Sequence, residues 1–236
     1  MHRFALDIDP VAFIRNIFDT DVPDPVHAVV LAEMGGAESI VCYLRDDERT
    51  VNERDVNLFR QIVKTYLNIR TNFTEENLRK LLLIKPDMVT FVAPGDVSSV
   101  EASQIDLDVY VNNMEEYISR FRANNILTSV LISPDINQIK LAGRMEFDYV
   151  ELDASAIVSA EDMSGEMDFL EEVSGLVLAA NKLGMGVNIS GGISYENIKD
   201  IARIEYLEDI VVGKPVLDKA LAIGFEQAVR DIITMI

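Results

Sequence analysis

Short apolar runs alternate with amphipathic stretches along the whole chain. The runs are Phe4–Ile8, Ser39–Leu44, Leu67–Thr71, Met88–Ala93, Thr128–Ile132, Tyr149–Leu152, Gly186–Ile189 and Ile210–Val212. They are mostly rich in Val, Ile, Leu or Phe, as strands buried on both faces are. Helical spacing follows each of them. Asp24–Met34 stops at Gly35-Gly36, and Asn52–Tyr66 carries Val56, Phe59, Ile62 and Val63 on one face. Thr74 opens a helix whose apolar face is Leu78, Leu81, Leu82 and Leu83. Val109–Ala123, Asp135–Met145, Glu166–Leu183, Tyr195–Ile204 and Val216–Met235 continue the alternation. Strand and helix in strict alternation predict an α/β fold, a (βα)₈ TIM barrel over residues 1–236, with a doubly wound open sheet as the competing arrangement. Two long connections, Asp9–Pro25 and Pro94–Asp108, predict extra short helices in the loops after strands 1 and 4, the first near Val11–Asn16. No linker or charge block marks a domain boundary.

Charge narrows the partners. Forty acidic against 21 basic residues give a net charge of −19, a surface that repels phosphate backbones, so nucleic acid is not an expected partner. No apolar run approaches the roughly 18 residues of a membrane span, and Met1-His2-Arg3-Phe4 leads straight towards a strand without a signal-peptide pattern. A cytoplasmic location without membrane attachment is the expectation. The single cysteine, Cys42, lies in an apolar run and offers neither a disulfide nor a cysteine metal site. No HxxH or Cys/His cluster exists, so no metal is expected. His2 and His27 are the only histidines. A mean hydropathy of +0.14 in so charged a chain is consistent with a homo-oligomer.

In a barrel, function gathers where strands end and their following loops begin. Asp7 and Asp9, Arg45, Arg70, Glu151 and Asp153, Asn188, Ser190, and Gly213 with Lys214 all fall there. Asp7 and Asp9 alternate along one strand, as do Glu151 and Asp153, so each pair can face one side of the barrel mouth. Such carboxylates can orient an amine or act as base, and Asp9, Arg45, Glu151 and Asp153 are the candidate catalytic residues. Ser190-Gly191-Gly192 after strand seven, with Gly213-Lys214 after strand eight, falls where such barrels commonly bind phosphate. Glycine lets backbone N–H groups close around phosphate oxygens, and Lys214 adds a point charge. A phosphorylated small molecule is therefore the expected ligand, with Asp7, Arg70, Asn188, Ser190, Gly191, Gly192, Gly213 and Lys214 as candidate binding residues. Arg70 either pairs with Asp9 or clamps a second anionic group of the ligand.

Asp7-Ile8-Asp9, Arg15-Asn16, Pro23-Asp24-Pro25-Val26, Tyr43-Leu44-Arg45-Asp46-Asp47, Arg54-Asp55, Asn68-Ile69, Thr74-Glu75-Glu76, Lys85-Pro86, Gly184, Val187-Asn188, Tyr195-x-Asn197 and Gly213 together resemble the pyridoxine 5′-phosphate synthase family across nearly the whole chain. That resemblance implies a (βα)₈ barrel with extra helices, assembled from dimers into an octamer. It implies condensation of 1-deoxy-D-xylulose 5-phosphate with 3-amino-2-oxopropyl phosphate by acid–base side chains, without a metal or organic cofactor. The departures fall on the chemical positions. The family's Asn-Ile-Asp-His is here Asp7-Ile8-Asp9-Pro10, its His-Leu-Arg is Tyr43-Leu44-Arg45, and a further histidine of that loop is Thr50. Its Asn-Leu-Glu is Asn68-Ile69-Arg70, a fixed cation in place of a base. Its Gly-His-Gly is Ser190-Gly191-Gly192, its Gly-His on strand eight is Gly213-Lys214, and a later Gly-Arg is Asp218-Lys219. Its Thr-Glu-Gly-Gly has no clear counterpart near Glu101–Ile105. Three functions follow. The first is a diverged barrel that binds a phosphorylated metabolite with its family chemistry lost or altered. The second is an active synthase in which Asp9, Glu151 or Asp153 replaces the missing base. The third is a non-catalytic oligomeric scaffold.

Overall fold

The computed structural model describes residues 2–94, 101–109, 114–159 and 163–236, the side chain of Met163 excepted. Eight parallel strands close into a barrel in sequential order: β1 Arg3–Asp7, β2 Ser39–Leu44, β3 Tyr66–Asn72, β4 Met88–Val92, β5 Leu127–Ile132, β6 Tyr149–Asp153, β7 Gly186–Ser190 and β8 Leu207–Val212. β8 returns to β1 with Leu6 opposite Val212, which closes the ring. The helices are α1 Asp9–Phe18, α2 Pro25–Gly35, α3 Glu53–Ile62, α4 Glu75–Ile84, α5 Met114–Ala123, α6 Ile136–Arg144, α7 Met163–Lys182, α8 Ile198–Ile201, α9 Lys214–Ile223 and α10 Phe225–Ile233. The expected TIM barrel is the observed fold.

Local chemistry explains the helix starts. Asn52 and Asp55 form a reciprocal capping box at α3, and Asp24, Thr74 and Asp135 accept first-turn N–H groups at α2, α4 and α6. Several ends differ from the sequence pattern. α3 stops at Ile62 rather than Tyr66, because the N–H groups of Lys64 and Thr65 donate to Glu33 Oε1 at 2.8 and 2.9 Å and turn the chain into β3. The stretch Val216–Met235 is two helices, broken at Gly224 (φ +87°). Of Tyr195–Ile204, only Ile198–Ile201 is helical. The extra helix after β1 is α1, longer than Val11–Asn16. After β4, residues 101–109 form a bridge from Ser103 to Ala93 and a turn, not a helix, and residues 95–100 and 110–113 of that loop lie outside the described residues.

The core has two unlike halves. Outside the sheet, strand residues such as Leu6, Ile69 and Phe91 join helix residues such as Val29, Phe59 and Leu78 in one apolar layer. Inside, apolar packing shrinks to Ala5, Val41 and Val211, and to Tyr43, Val92 and Leu131. Polar side chains fill the rest: Asn68, Arg70, Thr90, Ser129, Glu151, Asn188 and Asp209 are all buried. Buried polar groups need partners: Arg70, Glu151 and Asn188 find them across the lumen, while Thr90 bonds Asn68 and Arg3 bonds Asp209 between adjacent strands.

Candidate functional site

The centre of the barrel is an ion triad. Arg70, on β3, donates from Nη1 to Asp7 Oδ2 on β1 at 2.8 Å and from Nη2 to Glu151 Oε1 on β6. β3 is bonded to neither β1 nor β6, so both contacts cross the lumen. Glu151 is fully buried, and its Oε2 and Arg70 Nε have no protein partner among the described residues. Burial opposes the Arg70 charge, but Glu151 first and Asp7 second outweigh it and hold the guanidinium above its ordinary value.

Above the triad a cavity of about 310 Å³ opens at the C-terminal ends of the strands. Asp7, Asp9 and Arg70 line one side, and Asp153, Ser190, Gly191 and Gly192 the other. Gly213 and Lys214 from the end of β8 and Glu101 and Ala102 from the loop after β4 complete its mouth. The sequence candidates therefore divide. Nine of them line the cavity: Asp7, Asp9, Arg70, Asp153, Ser190, Gly191, Gly192, Gly213 and Lys214. Three do not. Arg45 lies over the Tyr43 ring and is held by Asp47 through two bonds, at 2.8 and 2.7 Å. Glu151 lies behind Arg70, and Asn188 sits lower in the lumen, donating to Met88 Sδ and accepting from the Asp209 N–H at 3.2 Å.

The Gly191-Gly192 turn requires glycine. Both residues have positive φ, +80° and +65°, and a Cβ on Gly191 would stand 2.3 Å from Asp153 Oδ1. The turn is braced by Asn197, whose Nδ2 donates to Gly192 O at 2.9 Å while its Oδ1 accepts the Ser194 N–H at 2.8 Å. Sequence reasoning about the site missed this brace, although a polar residue five positions after the second glycine was its visible signal. The N–H groups of Gly191, Gly192, Ile193 and Lys214 donate to no acceptor among the described residues. At the rim, Lys214 Nζ is paired with Glu101 at 2.5 Å, both side chains being exposed. Gln104 from the same loop donates to Asp153. Neither acidic partnership was readable from spacing, because both join elements far apart in the chain.

Neither histidine reaches the cavity. His2 bonds the carbonyls of Leu207 and Ala202 at the opposite end of the barrel, and His27 is exposed on α2. Cys42 is buried, and burial pushes its thiol well up, so it stays protonated. Proton chemistry at the cavity thus falls to carboxyl groups. Asp9 is 2% exposed and its Oδ1 accepts the Tyr43 N–H at 2.9 Å. Burial, and then the like charge of Asp7, raise its carboxyl well above the ordinary range. Folding therefore favours protonated Asp9. Its contribution to stability is complete below the ordinary carboxylate range and is lost as pH rises through its raised value. Asp9→Asn should flatten that decline, which urea denaturation from mildly acidic to alkaline pH would reveal. An unchanged pH slope would contradict a proton on Asp9. Among the described residues no group of three or more His, Cys, Asp or Glu could hold a metal ion, and no helix is long and apolar enough to cross a membrane.

Residues 4–236 match the family model described as pyridoxal phosphate biosynthesis protein PdxJ. Pyridoxine 5′-phosphate synthase of Geotalea daltonii is 33% identical over 236 residues, covering all of this chain and 99% of the relative. The protein of that name from Geotalea uraniireducens is 34% identical over the same span, with the same coverage of each chain. Among solved structures, thiamine phosphate pyrophosphorylase from Pyrococcus furiosus superposes with a TM-score of 0.64 at 14% identity, over 99% of this chain and 94% of that one. Phosphoribosylanthranilate isomerase from Thermotoga maritima does so at 0.62 and 12%, over 100% and 98%. These two likenesses concern the barrel fold alone. The full-length match in sequence goes further, and the chain belongs to the PdxJ family of pyridoxal phosphate biosynthesis proteins.

Proposed function

We propose that the cavity binds a phosphorylated small metabolite and that the acid–base condensation implied by the family resemblance is lost or altered in this chain. Phosphate binding is supported by the four unengaged N–H groups of Gly191, Gly192, Ile193 and Lys214, with the Lys214 side chain at the rim. Backbone N–H groups of this kind suit phosphate oxygens, and the first turn of α9 adds a favourable dipole. The altered chemistry rests on one observation above all: Arg70, fixed between Asp7 and Glu151, stands where the resemblance has a glutamate. A guanidinium cannot serve as a base near neutral pH. With both histidines remote as well, several acid–base roles are vacant, each worth ~10²–10⁴-fold in rate.

Homo-oligomeric assembly, as a dimer or octamer, belongs to the same reading. The exposed Ile17 and Phe18 at the end of α1, with exposed Val22 four residues further on, support it, since large apolar side chains on a surface favour a partner.

Calorimetric titration and a turnover assay together test the function. 1-deoxy-D-xylulose 5-phosphate should bind, its unphosphorylated sugar should not, and adding 3-amino-2-oxopropyl phosphate should yield no pyridoxine 5′-phosphate above a protein-free control. Turnover at the rate of the Geotalea daltonii relative would replace this reading with an active synthase whose catalytic residues are rearranged.

A further inference from the structure

We propose that Asp7 and Asp9 form an acid–base pair that holds one proton at the cavity wall and enolises the carbonyl end of a small α-hydroxycarbonyl phosphate. This role rests on the reading of the cavity as a phosphate-ester site and adds the chemistry opposite the phosphate.

The geometry separates the two carboxyl groups. Asp7 is paired with a cation, Oδ2 on Arg70 Nη1 at 2.8 Å, while its Oδ1 accepts the Asp9 N–H at 2.9 Å. Asp9 has no cation bonded to it among the described residues, sits deeper, and takes one backbone N–H, that of Tyr43. The groups facing Asp9 are Asp7 on its own segment, Arg70 on β3, Cys42 on β2 and Arg45 beyond the end of β2. Arg70 is bonded to Asp7 and Glu151 and Arg45 to Asp47, so neither bonds Asp9, and burial with the charge of Asp7 outweighs the opposing pull of Arg70. Two carboxyl groups in contact resist double ionisation, and the more buried one keeps the proton. The raised titration of Asp9 agrees with this placement.

Such a pair can do both halves of an enolisation. The carboxylate member takes the proton from the ligand carbon that bears the hydroxyl. The electron pair of that C–H bond becomes the C=C bond of an enediol. The carbonyl π pair moves to oxygen, which takes the proton from the neutral member. The pair ends as it began, with one proton and one negative charge, and no oxidant or further reactant is needed. Arg70 lies on the same wall, where its charge stabilises the oxygen as it gains electron density.

The test uses dihydroxyacetone phosphate as probe, in D₂O, with wild type, Asp9→Asn and Asp7→Asn. NMR follows deuterium entering the carbon-bound position, and calorimetry measures the affinity of each protein. Wild type should incorporate deuterium with a bell-shaped pH profile. Both variants should lose at least ~10²-fold in exchange rate at saturating probe, the lower end of what a general acid or base supplies, a loss larger than any change in their affinity for the probe. In Asp9→Asn the new side-chain carbonyl can still accept the Tyr43 N–H, so a folded variant is expected, and the wild-type pH profile carries the test independently of it. Binding without exchange in wild type, or exchange that persists in Asp9→Asn, would overturn the acid–base pair and leave the binding site standing. Absence of binding to wild type would instead remove the cavity reading, and the pair's role with it.

Discussion

Replacing Arg70 by methionine should cost ~3–5 kcal/mol of folding stability, the usual penalty for stranding a buried charge. Methionine fills much of the same volume, so the loss comes from charge rather than from a void. Arg70 is the only cation bonded to Glu151 among the described residues, and Glu151 is fully buried with one oxygen already unpartnered. Without the guanidinium a carboxylate remains in the lumen with no counter-ion. Glu151→Gln in the same chain should restore most of the stability, because partners in one network couple strongly. The comparison is Arg79→Ala, which breaks an exposed pair with Glu75 one helical turn away and should cost less than ~0.5 kcal/mol. Denaturant midpoints of these variants measure the difference. An Arg70→Met protein within ~1 kcal/mol of wild type would mean the triad is not the keystone of the lumen.

The second large effect is at Gly191. An alanine there must hold φ near +80° and place its Cβ 2.3 Å from Asp153 Oδ1 and 2.5 Å from Ser155 Oγ. The backbone conformation alone costs about 1–2 kcal/mol for a residue with a side chain. The clash then displaces Asp153, which accepts the Ser155 N–H at 2.8 Å, and turns the free N–H groups away from the cavity. Gly191→Ala should thus lose stability and bind 1-deoxy-D-xylulose 5-phosphate at least ~10-fold more weakly, a change of about 1.4 kcal/mol. Gly175→Ala, in α7 with open space around it, should be neutral or stabilising by up to ~1 kcal/mol. Thermal unfolding and calorimetry on both variants would separate the local turn from any general glycine effect.

The eight strands were legible because one face of each must be apolar to meet the helices, and that face dominates the short runs. The inner face was legible too, in a different way: Asn68-Ile69-Arg70 and Glu151-Leu152-Asp153 show polar residues at every second position. What spacing could not convey was which inner residues meet. Arg70 reaches Asp7 and Glu151, on strands 63 and 81 residues away in sequence but facing it across the barrel. Lys214 meets Glu101 for the same reason, over 113 residues. Helix ends were read too far where a distant side chain decides them, as Glu33 does for α3. The break at Gly224 was visible as a glycine, but the apolar spacing runs on through it into Phe225, Val229 and Ile232. Asn197 was present in the motif pattern, and only the fold gives it the task of bracing the glycine turn.

A crystal structure of the wild-type protein with 1-deoxy-D-xylulose 5-phosphate bears on all of this at once. Phosphate oxygens should bond to the N–H groups of Gly191, Gly192, Ile193 and Lys214. The sugar carbons should point towards Asp7 and Asp9, with the Arg70 pairs to Asp7 and Glu151 intact. A ligand bound elsewhere, or a cavity in which Lys214 and Glu101 stay paired over an empty glycine turn at saturating ligand, would contradict the phosphate site.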